Sequence, residues 1–309
     1  MIGRLKILAL ALAITTPALA APPPAPKTVA VGKVVEWGSD TDGETADYRI
    51  GPYTLFLSSV ATVPAGRDIE PDARSPQLTI SGQRDHAEVT LTGVMGFADN
   101  AFANFVVVRL DPASKAASVV MTSFSGGAHC CTEVQVATPS ALGWTVSHLG
   151  SFDNEPLMNA PRDLDGDGTP DLVIYDSRFA YAFDSYAGSV QPMRIYAVRR
   201  GVVVEVSREP RFRKALSADM AEAAKGCREH GNGACAAYVA DAARLGRLPE
   251  AWAVMLKSYN RELAEFPDKT CDGRIAHGDC PKGHAGTIRD FPTALKLFIT
   301  EMGYLPAKP

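Results

Sequence analysis

The hydrophobic pattern of the chain changes near Pro210. Before it, short β-branched and aromatic runs alternate with turn residues, and in segments such as Leu78-Thr79-Ile80 every second residue is apolar, as a half-buried strand requires. After it, Ala-rich segments carry apolar residues at helical spacing. The pattern predicts an α+β protein. A mostly antiparallel β domain at residues 28–208, either a sandwich or a partial propeller, precedes an α-helical domain at residues 211–306.

The predicted strands are joined by turns rich in Gly, Pro and Asp. Arg199-Arg200-Gly201, between the last two, is typical of a tight hairpin. The predicted strand segments are Thr28–Trp37, Tyr53–Val60, Gln77–Ser81, Glu88–Val94, Phe105–Leu110, Ser118–Phe124, Glu133–Ala137, Gly143–His148, Asp171–Tyr175, Met193–Val198 and Val202–Val206.

Four helices are predicted after residue 210. Two Ala-rich segments, 215–225 and 234–245, form the first pair. Pro249 starts a third helix, since proline is tolerated in the first turn, and Pro267 ends it. Pro292 starts the last. The third carries one apolar stripe made of Trp252, Met255, Leu256, Tyr259, Leu263 and Phe266.

The N-terminus has the pattern of a secretion signal. Arg4 and Lys6 precede an apolar stretch, and residues 17–20 (PALA) provide a small-residue cleavage site after Ala20. Residues 1–20 are therefore predicted to be a signal peptide, and residues 21–27 an extended Pro-rich leader. A membrane anchor is disfavoured because Pro17 interrupts the stretch well short of about 20 apolar residues. We expect a periplasmic or secreted protein without a membrane span after signal cleavage.

The charge of the chain is unevenly distributed. Residues 21–210 carry a net charge of −9, and residues 211–309 a net charge of +3. An acidic surface repels phosphate backbones, so nucleic acid is excluded as an expected partner. The acidic half instead suits cations.

The most specific motif is the segment D-L-D-G-D-G-T-P-D at residues 163–171. Calcium takes six to eight oxygen ligands at about 2.3–2.6 Å. Asp163, Asp165, Asp167 and Asp171 offer carboxylates, and Thr169 offers its carbonyl oxygen. Glycines inside the loop permit the positive φ angles that wrapping an ion requires. Calcium is therefore the predicted cofactor, with a stabilising role. The alternative is a solvated acidic turn that binds no ion.

This loop is not an EF-hand, because Ile174 stands where that motif needs a bidentate Glu. Asp163 to Asp171 followed by a strand resembles the calcium loops of FG-GAP and VCBS-type repeats, which build blades of integrin-like β-propellers. The resemblance implies the same acidic ligands and covers residues 160–206, but the chain has one such loop where a propeller needs about four to eight blades.

The six cysteines predict disulfides in an exported protein: Cys130, Cys131, Cys227, Cys235, Cys271 and Cys280. The adjacent Cys130 and Cys131 either form a strained vicinal bond or pair elsewhere. The other four allow three connectivities, of which the shortest loops favour 227–235 with 271–280. Cys271, His277, Cys280 and His284 also have a weak zinc-like spacing, which an oxidising compartment disfavours.

Two further segments are weaker candidates. Phe179, Tyr181, Phe183 and Tyr186 follow the acidic loop and form either a binding patch or part of the core. The second segment is an acidic run similar to the calcium loop but less regular, which favours an exposed turn. Its residues are Asp40, Asp42, Gly43, Glu44 and Asp47.

The sequence contains no G-x-S-x-G, H-E-x-x-H or phosphate-loop motif. The leading hypothesis is a calcium-stabilised binding or structural module whose partner is an envelope protein or a glycan. The alternatives are an envelope enzyme, either a hydrolase or a thiol redox protein using Cys130-Cys131, and an inhibitor of an envelope enzyme. Whether the chain is an enzyme stays open, with no catalytic residue assigned.

Overall fold

The structure is a computed structural model that describes residues 25–62, 73–82, 87–96, 100–126, 131–140, 143–153, 157, 160–276 and 278–305. The predicted signal peptide and residues 21–24 of the predicted leader lie outside the described residues. So do Cys130 and His277.

The N-terminal region consists of two five-stranded sheets. The first has the order β1-β3-β4-β5-β6 and the second β10-β9-β8-β7-β2. All neighbours are antiparallel except β1 and β3. The strands are β1 (Lys27–Val29), β2 (Val35–Gly38), β3 (Thr45–Ile50), β4 (Tyr53–Ala61), β5 (Arg74–Ser81), β6 (Val89–Thr92), β7 (Phe102–Val108), β8 (Ser118–Phe124), β9 (Thr132–Ser140) and β10 (Gly143–Phe152), with the single turn α1 (Ser39–Asp42) after β2.

The remaining elements form a third sheet, a helical layer and a small sheet. The third sheet has the order β11-β12-β13, with β11 (Leu172–Tyr175), β12 (Met193–Arg199) and β13 (Val202–Glu205). The helices are α2 (Arg213–Arg228), α3 (Asn232–Arg244), α4 (Leu248–Ser258) and α5 (Phe291–Glu301). The sequence did not predict the small sheet, which comprises β14 (Lys269–Cys271), β15 (Arg274–Ile275) and β16 (Ala285–Thr287). These elements confirm the predicted α+β class.

Three apolar cores separate four layers. The first lies between the two large sheets and includes Leu55 and Phe105. The second lies between the second and third sheets and includes Val120 of β8 and Ile174 of β11. The third lies between the third sheet and the helices and includes Ile195. Successive residues of a strand face opposite sides, so β12 contributes to both of its neighbouring cores. The third sheet is thus buried on two faces, and the acidic loop that leads into it contacts Arg109, just after β7, and Arg211, just before α2.

Two sequence predictions differ from the structure. The predicted strand Thr28–Trp37 is two strands separated by a turn, with Gly32 at φ +84°. The predicted third helix ends at Ser258, nine residues before Pro267. The side chain of Asn232 bonds both the amide and the carbonyl of Asn260, which holds the chain out of helical geometry. Leu263, predicted in the apolar stripe, is 73% exposed.

Candidate metal centre

The acidic loop is closed at its base and left-handed at its glycines. Arg162 and Asp171 exchange two backbone hydrogen bonds, with N to O distances of 3.2 and 2.9 Å. Gly166 and Gly168 have φ of +84° and +81°, the region the sequence predicted for them. The loop is therefore a fixed turn directly before β11.

The loop carboxylates bond the loop's own backbone. Asp163 accepts from the amides of Gly166 and Gly168, at 2.7 and 2.9 Å. Asp171 accepts from the amide of Leu164 at 3.1 Å. A carboxylate has about four lone-pair sites, so each group keeps acceptor capacity for an ion. These bonds fix where the oxygens lie before any ion arrives.

Three of the four predicted carboxylates converge. Asp163, Asp165 and Asp171 each place one oxygen within 4.8 Å of the others. The Asp165 side chain is 2% exposed, and Asp171 is buried. Three such oxygens around one point, partly shielded from water, fit a hard cation. Thr169 is buried beside them, and its carbonyl ligand role stays a prediction.

The fourth carboxylate, that of Asp167, pairs with Arg211, which no motif in the sequence connects with the loop. Arg211 places Nη1 2.6 Å from Oδ2 of Asp165 and 3.1 Å from Oδ2 of Asp167. Its Nε also bonds Glu209 at 3.0 Å. The guanidinium offsets part of the repulsion between the loop carboxylates and neighbours the same oxygens a cation would use. Arg211 lies 46 residues after Asp165 and 44 after Asp167, so no local pattern could have indicated it.

The loop holds its carboxyl groups at different pKa values. Burial raises the pKa of Asp171 to about 6, and the negative charges of Asp165 and Asp167 add to this, although the Leu164 amide and Arg211 oppose it. In Asp163, hydrogen bonds from the Gly168 and Gly166 amides outweigh desolvation and lower the pKa. A negative charge on Asp171, at the buried end of the loop, therefore costs more free energy than one on Asp163.

The acidic run before β3 is arranged differently from this loop. Asp42 bonds Nζ of Lys27 at 3.1 Å, and Asp47 lies on an exposed position of β3. Among the described residues, the group Asp163, Asp165 and Asp171 is the one whose carboxylates gather closely enough for a metal.

The cysteines of the C-terminal region are cross-linked over short loops. Cys227 bonds Cys235, and Cys271 bonds Cys280, the connectivity that the shortest loops favour. The second bond uses both thiols of the zinc-like set, so the zinc interpretation is wrong. Cys131 is also disulfide-bonded. Because Cys130 lies outside the described part of the chain, the vicinal bond stays a prediction.

The aromatic run after the loop separates into two pairs. Phe179 and Phe183 are 1% and 0% exposed and pack edge-to-face on Phe298. They belong to the core, so their assignment to a binding patch is wrong. Tyr181 and Tyr186 are 53% and 38% exposed, and their ring centroids lie 5.3 Å apart. Only these two tyrosines of the run present rings to solvent.

Comparison with known proteins gives a family match to the C-terminal region. The model of the "sll0997 C-terminal domain" matches residues 212–303, the segment from the start of α2 to the end of α5. A "Probable thylakoid lumen protein" of Synechocystis sp. is 36% identical over 208 residues, covering 62% of this chain and 57% of that protein. That protein's name gives a compartment reached by export, which agrees with the predicted export of this chain.

A second relative, an "Uncharacterized protein" of Sinorhizobium fredii, is 29% identical over 268 residues, or 84% of this chain and 42% of that protein. The chain therefore spans about half the length of the curated relatives it matches. No solved structure gives a significant match. None of the helices in the described ranges has the length and apolar character needed to cross a bilayer.

Proposed function

We propose that this chain is an exported module whose acidic loop binds one calcium ion and that the ion stabilises the junction between the sandwich and the helical layer. The observation that carries the proposal is the convergence of the carboxylates of Asp163, Asp165 and Asp171 within 4.8 Å. Calcium prefers such hard oxygen ligands. On this account the loop is of the FG-GAP and VCBS type, used once.

The position of the loop explains why an ion there would matter for stability. The loop leads into β11, which is buried between the second and third cores. An ion bound only by the folded protein adds to the free energy of unfolding by mass action, about 2.7 kcal/mol at a hundredfold excess over the dissociation constant. Calcium would therefore stabilise both layers that β11 joins.

A thermal melt with calcium and with chelator tests this proposal. The informative variant is Asp163→Asn, because Asp163 makes no contact with Arg211 and its loss leaves the Arg211 pairs with Asp165 and Asp167 intact. Asp40→Asn is the matched control in the other acidic run. Calcium should raise the midpoint of the parent and of Asp40→Asn by several degrees and leave Asp163→Asn unchanged. An equal response of all three proteins, or of none, would remove the calcium proposal.

We further propose that the partner of the module is an envelope protein or a glycan that contacts the exposed Tyr181 and Tyr186. Tyrosine rings supply large contact area at small entropic cost and stack on apolar faces. Double replacement of both tyrosines by Ser should abolish binding to a glycan array or to an envelope-protein extract while leaving the melt unchanged. Retained binding in the double variant would place the partner surface elsewhere.

A further inference from the structure

A cavity of about 400 Å³ opens where the third sheet meets the ends of α3 and α5. Four arginines line it: Arg178, Arg194, Arg208 and Arg244. They come from a turn, a strand, a loop and a helix that are as much as 66 positions apart in the sequence. No sequence motif therefore predicts the cluster. The side chains of Val206, Met302 and Tyr304 complete the wall.

These arginines have more donors than acceptors around them. Arg178 forms a two-point ion pair with Asp176, at 2.6 and 2.5 Å. Arg194 bonds Glu205 at 2.6 Å. Each guanidinium has five N–H groups, and each of these two is engaged by one carboxylate.

Arg208 has no such carboxylate. Its Nη2 donates to the carbonyl oxygen of Gly303, and no acidic group in the described part of the chain pairs with it. The side chain is at the exposed mouth of the cavity. A guanidinium that has no carboxylate partner, at an opening that also holds two other guanidinium groups, has N–H donors available to an incoming anion.

Arg244 lies at the base of the group and is incompletely satisfied. Its side chain is 3% exposed, bonds the Asp241 carboxyl through Nη2, and stacks on the ring of Tyr304 with Cζ 4.8 Å from the ring centroid. Its Nε and Nη1 have no hydrogen-bond partner. Burying unpaired donors of a charged group costs free energy, which a nearby negative charge would reduce. Burial also raises the pKa of Asp241, which weakens the compensation that Arg244 receives from it.

From this arrangement we propose that the cavity is a binding site for a small organic anion, held through its carboxylate or phosphate group by Arg208 and Arg194 and stabilised by the charge of Arg244. A guanidinium presents parallel N–H donors that match either group. The volume of about 400 Å³ is in the range of small-ligand pockets. Tyr304, Val206 and Met302 provide an apolar wall for the organic part of the ligand.

The test measures binding of succinate and of methyl phosphate separately at fixed ionic strength, with chloride as the reference anion. The readout is the methyl resonance of Met302, which lines the cavity, in protein labelled with ¹³C at its methionine methyl groups. The proteins compared are the parent, Arg208→Gln, and the control Arg49→Gln, which removes the same charge from an exposed position of β3. Asp163→Asn is included because Glu209, at the cavity, bonds Arg211, which in turn pairs with Asp165 and Asp167 of the acidic loop.

At least one of the two anions should shift the Met302 signal saturably, with the same dissociation constant in the parent, Arg49→Gln and Asp163→Asn. The dissociation constant should rise about tenfold or more in Arg208→Gln, the usual effect of losing a charged hydrogen bond. Preference for succinate would assign a carboxylate ligand, and preference for methyl phosphate a phosphomonoester. Equal weakening in Arg49→Gln, or shifts no larger than those of chloride, would overturn the proposal. Loss of calcium binding in Asp163→Asn with anion binding retained would show that the two sites are separate.

Discussion

The sandwich and the C-terminal layers, which are the third sheet and the helices, bury different kinds of side chain. The core between the two large sheets is made mainly of apolar residues such as Leu55 and Phe105, and polar residues buried on the same strands, such as Gln135, are uncharged. Of the charged residues that are buried as whole residues in the described ranges, Asp111 precedes the acidic loop, whereas Asp171, Asp176 and Asp241 lie at its end or after it. The helical region also contains two disulfides. The sandwich is thus held mainly by packing, whose strength depends little on pH, whereas the C-terminal layers also depend on buried charges and on two disulfides.

The largest expected effect comes from the sandwich core. Phe105 in β7 is 0% exposed and packs against Tyr48. Phe105→Ala should lower the free energy of unfolding by about 3–5 kcal/mol, because it removes buried contacts and leaves a cavity. Urea denaturation followed by tryptophan fluorescence measures this. The loss should be the same at pH 5 and pH 8, and Phe56→Ala, at a 39% exposed position of the same region, should cost less than about 1 kcal/mol. A loss that varies with pH would show that the stability of the sandwich also depends on titratable groups.

The second effect concerns the cross-link between α2 and α3. Replacing Cys227 and Cys235 together by Ala should cost about 2–4 kcal/mol, the usual contribution of a native disulfide. Trp252 lies on α4 and reports on the helices, whereas Trp37 and Trp144 report on the sandwich. The Trp252→Phe background leaves only the sandwich reporters, and the Trp37→Phe/Trp144→Phe background leaves only the helical reporter. The loss of stability should appear in the helical reporter before it appears in the sandwich reporters. Equal shifts of both reporters would show that the layers unfold as one unit.

The third effect is a pH dependence of the helical region. Burial raises the pKa of Asp241 to about 8, with the Arg244 charge opposing the rise and Asp219 adding to it. The folded protein then holds this proton more tightly than the unfolded chain, so the associated stability is present at low pH and is lost as pH rises from about 4 to about 8. Asp241→Asn should flatten the slope by at most about 1.4 kcal/mol per pH unit, the limit for one proton. Urea denaturation across that pH range, with Trp252 as reporter, measures the slope. If the slope is unchanged in Asp241→Asn, Asp241 is not the source of the pH dependence.

At acidic pH the stability of the same region changes with pH in the opposite direction. Burial alone would raise the pKa of Asp176, but the Arg178 ion pair outweighs it and lowers the pKa. The stability that this pair contributes is present above the unfolded pKa of about 4 and is lost as pH falls below it. The helical region should therefore be most stable in mildly acidic solution.

The smallest expected effect on stability is that of Arg211→Gln. Arg211 is about one-third exposed, and pairs of that kind contribute about 0–1 kcal/mol. Its effect on calcium should be larger, because removing a positive charge next to Asp165 removes repulsion towards a cation. We expect calcium affinity to increase severalfold. A decrease would mean that Arg211 positions the ligand carboxylates instead of competing with the ion.

The parts of the fold that followed from sequence were those set by local pattern. Ser118–Phe124 was predicted with its observed bounds, because an apolar run between turns has few alternatives. β3 was missed because Asp47 and the preceding acidic residues have the composition of a turn, although its buried positions pair with β4. The early end of α4 depends on Asn232, 28 residues before Asn260.

The candidate sites likewise divide into those set by local pattern and those set by contacts between segments distant in the sequence. The acidic loop is local, so its ligands could be proposed from spacing alone. Arg211 beside it, the arginine-lined cavity and the split of the aromatic run into buried and exposed pairs depend on which segments meet in space. No window of the sequence contains that information.

A calcium titration by calorimetry shows whether the acidic loop binds an ion. The purified chain, stripped of metal, is titrated with calcium beside Asp163→Asn and Asp40→Asn. We expect binding of one ion per chain in the parent and in Asp40→Asn, and loss of that binding in Asp163→Asn. An absence of heat in the parent, or the same single-site isotherm in all three proteins, would contradict it, and the loop would then be an acidic turn neutralised by Arg211 alone.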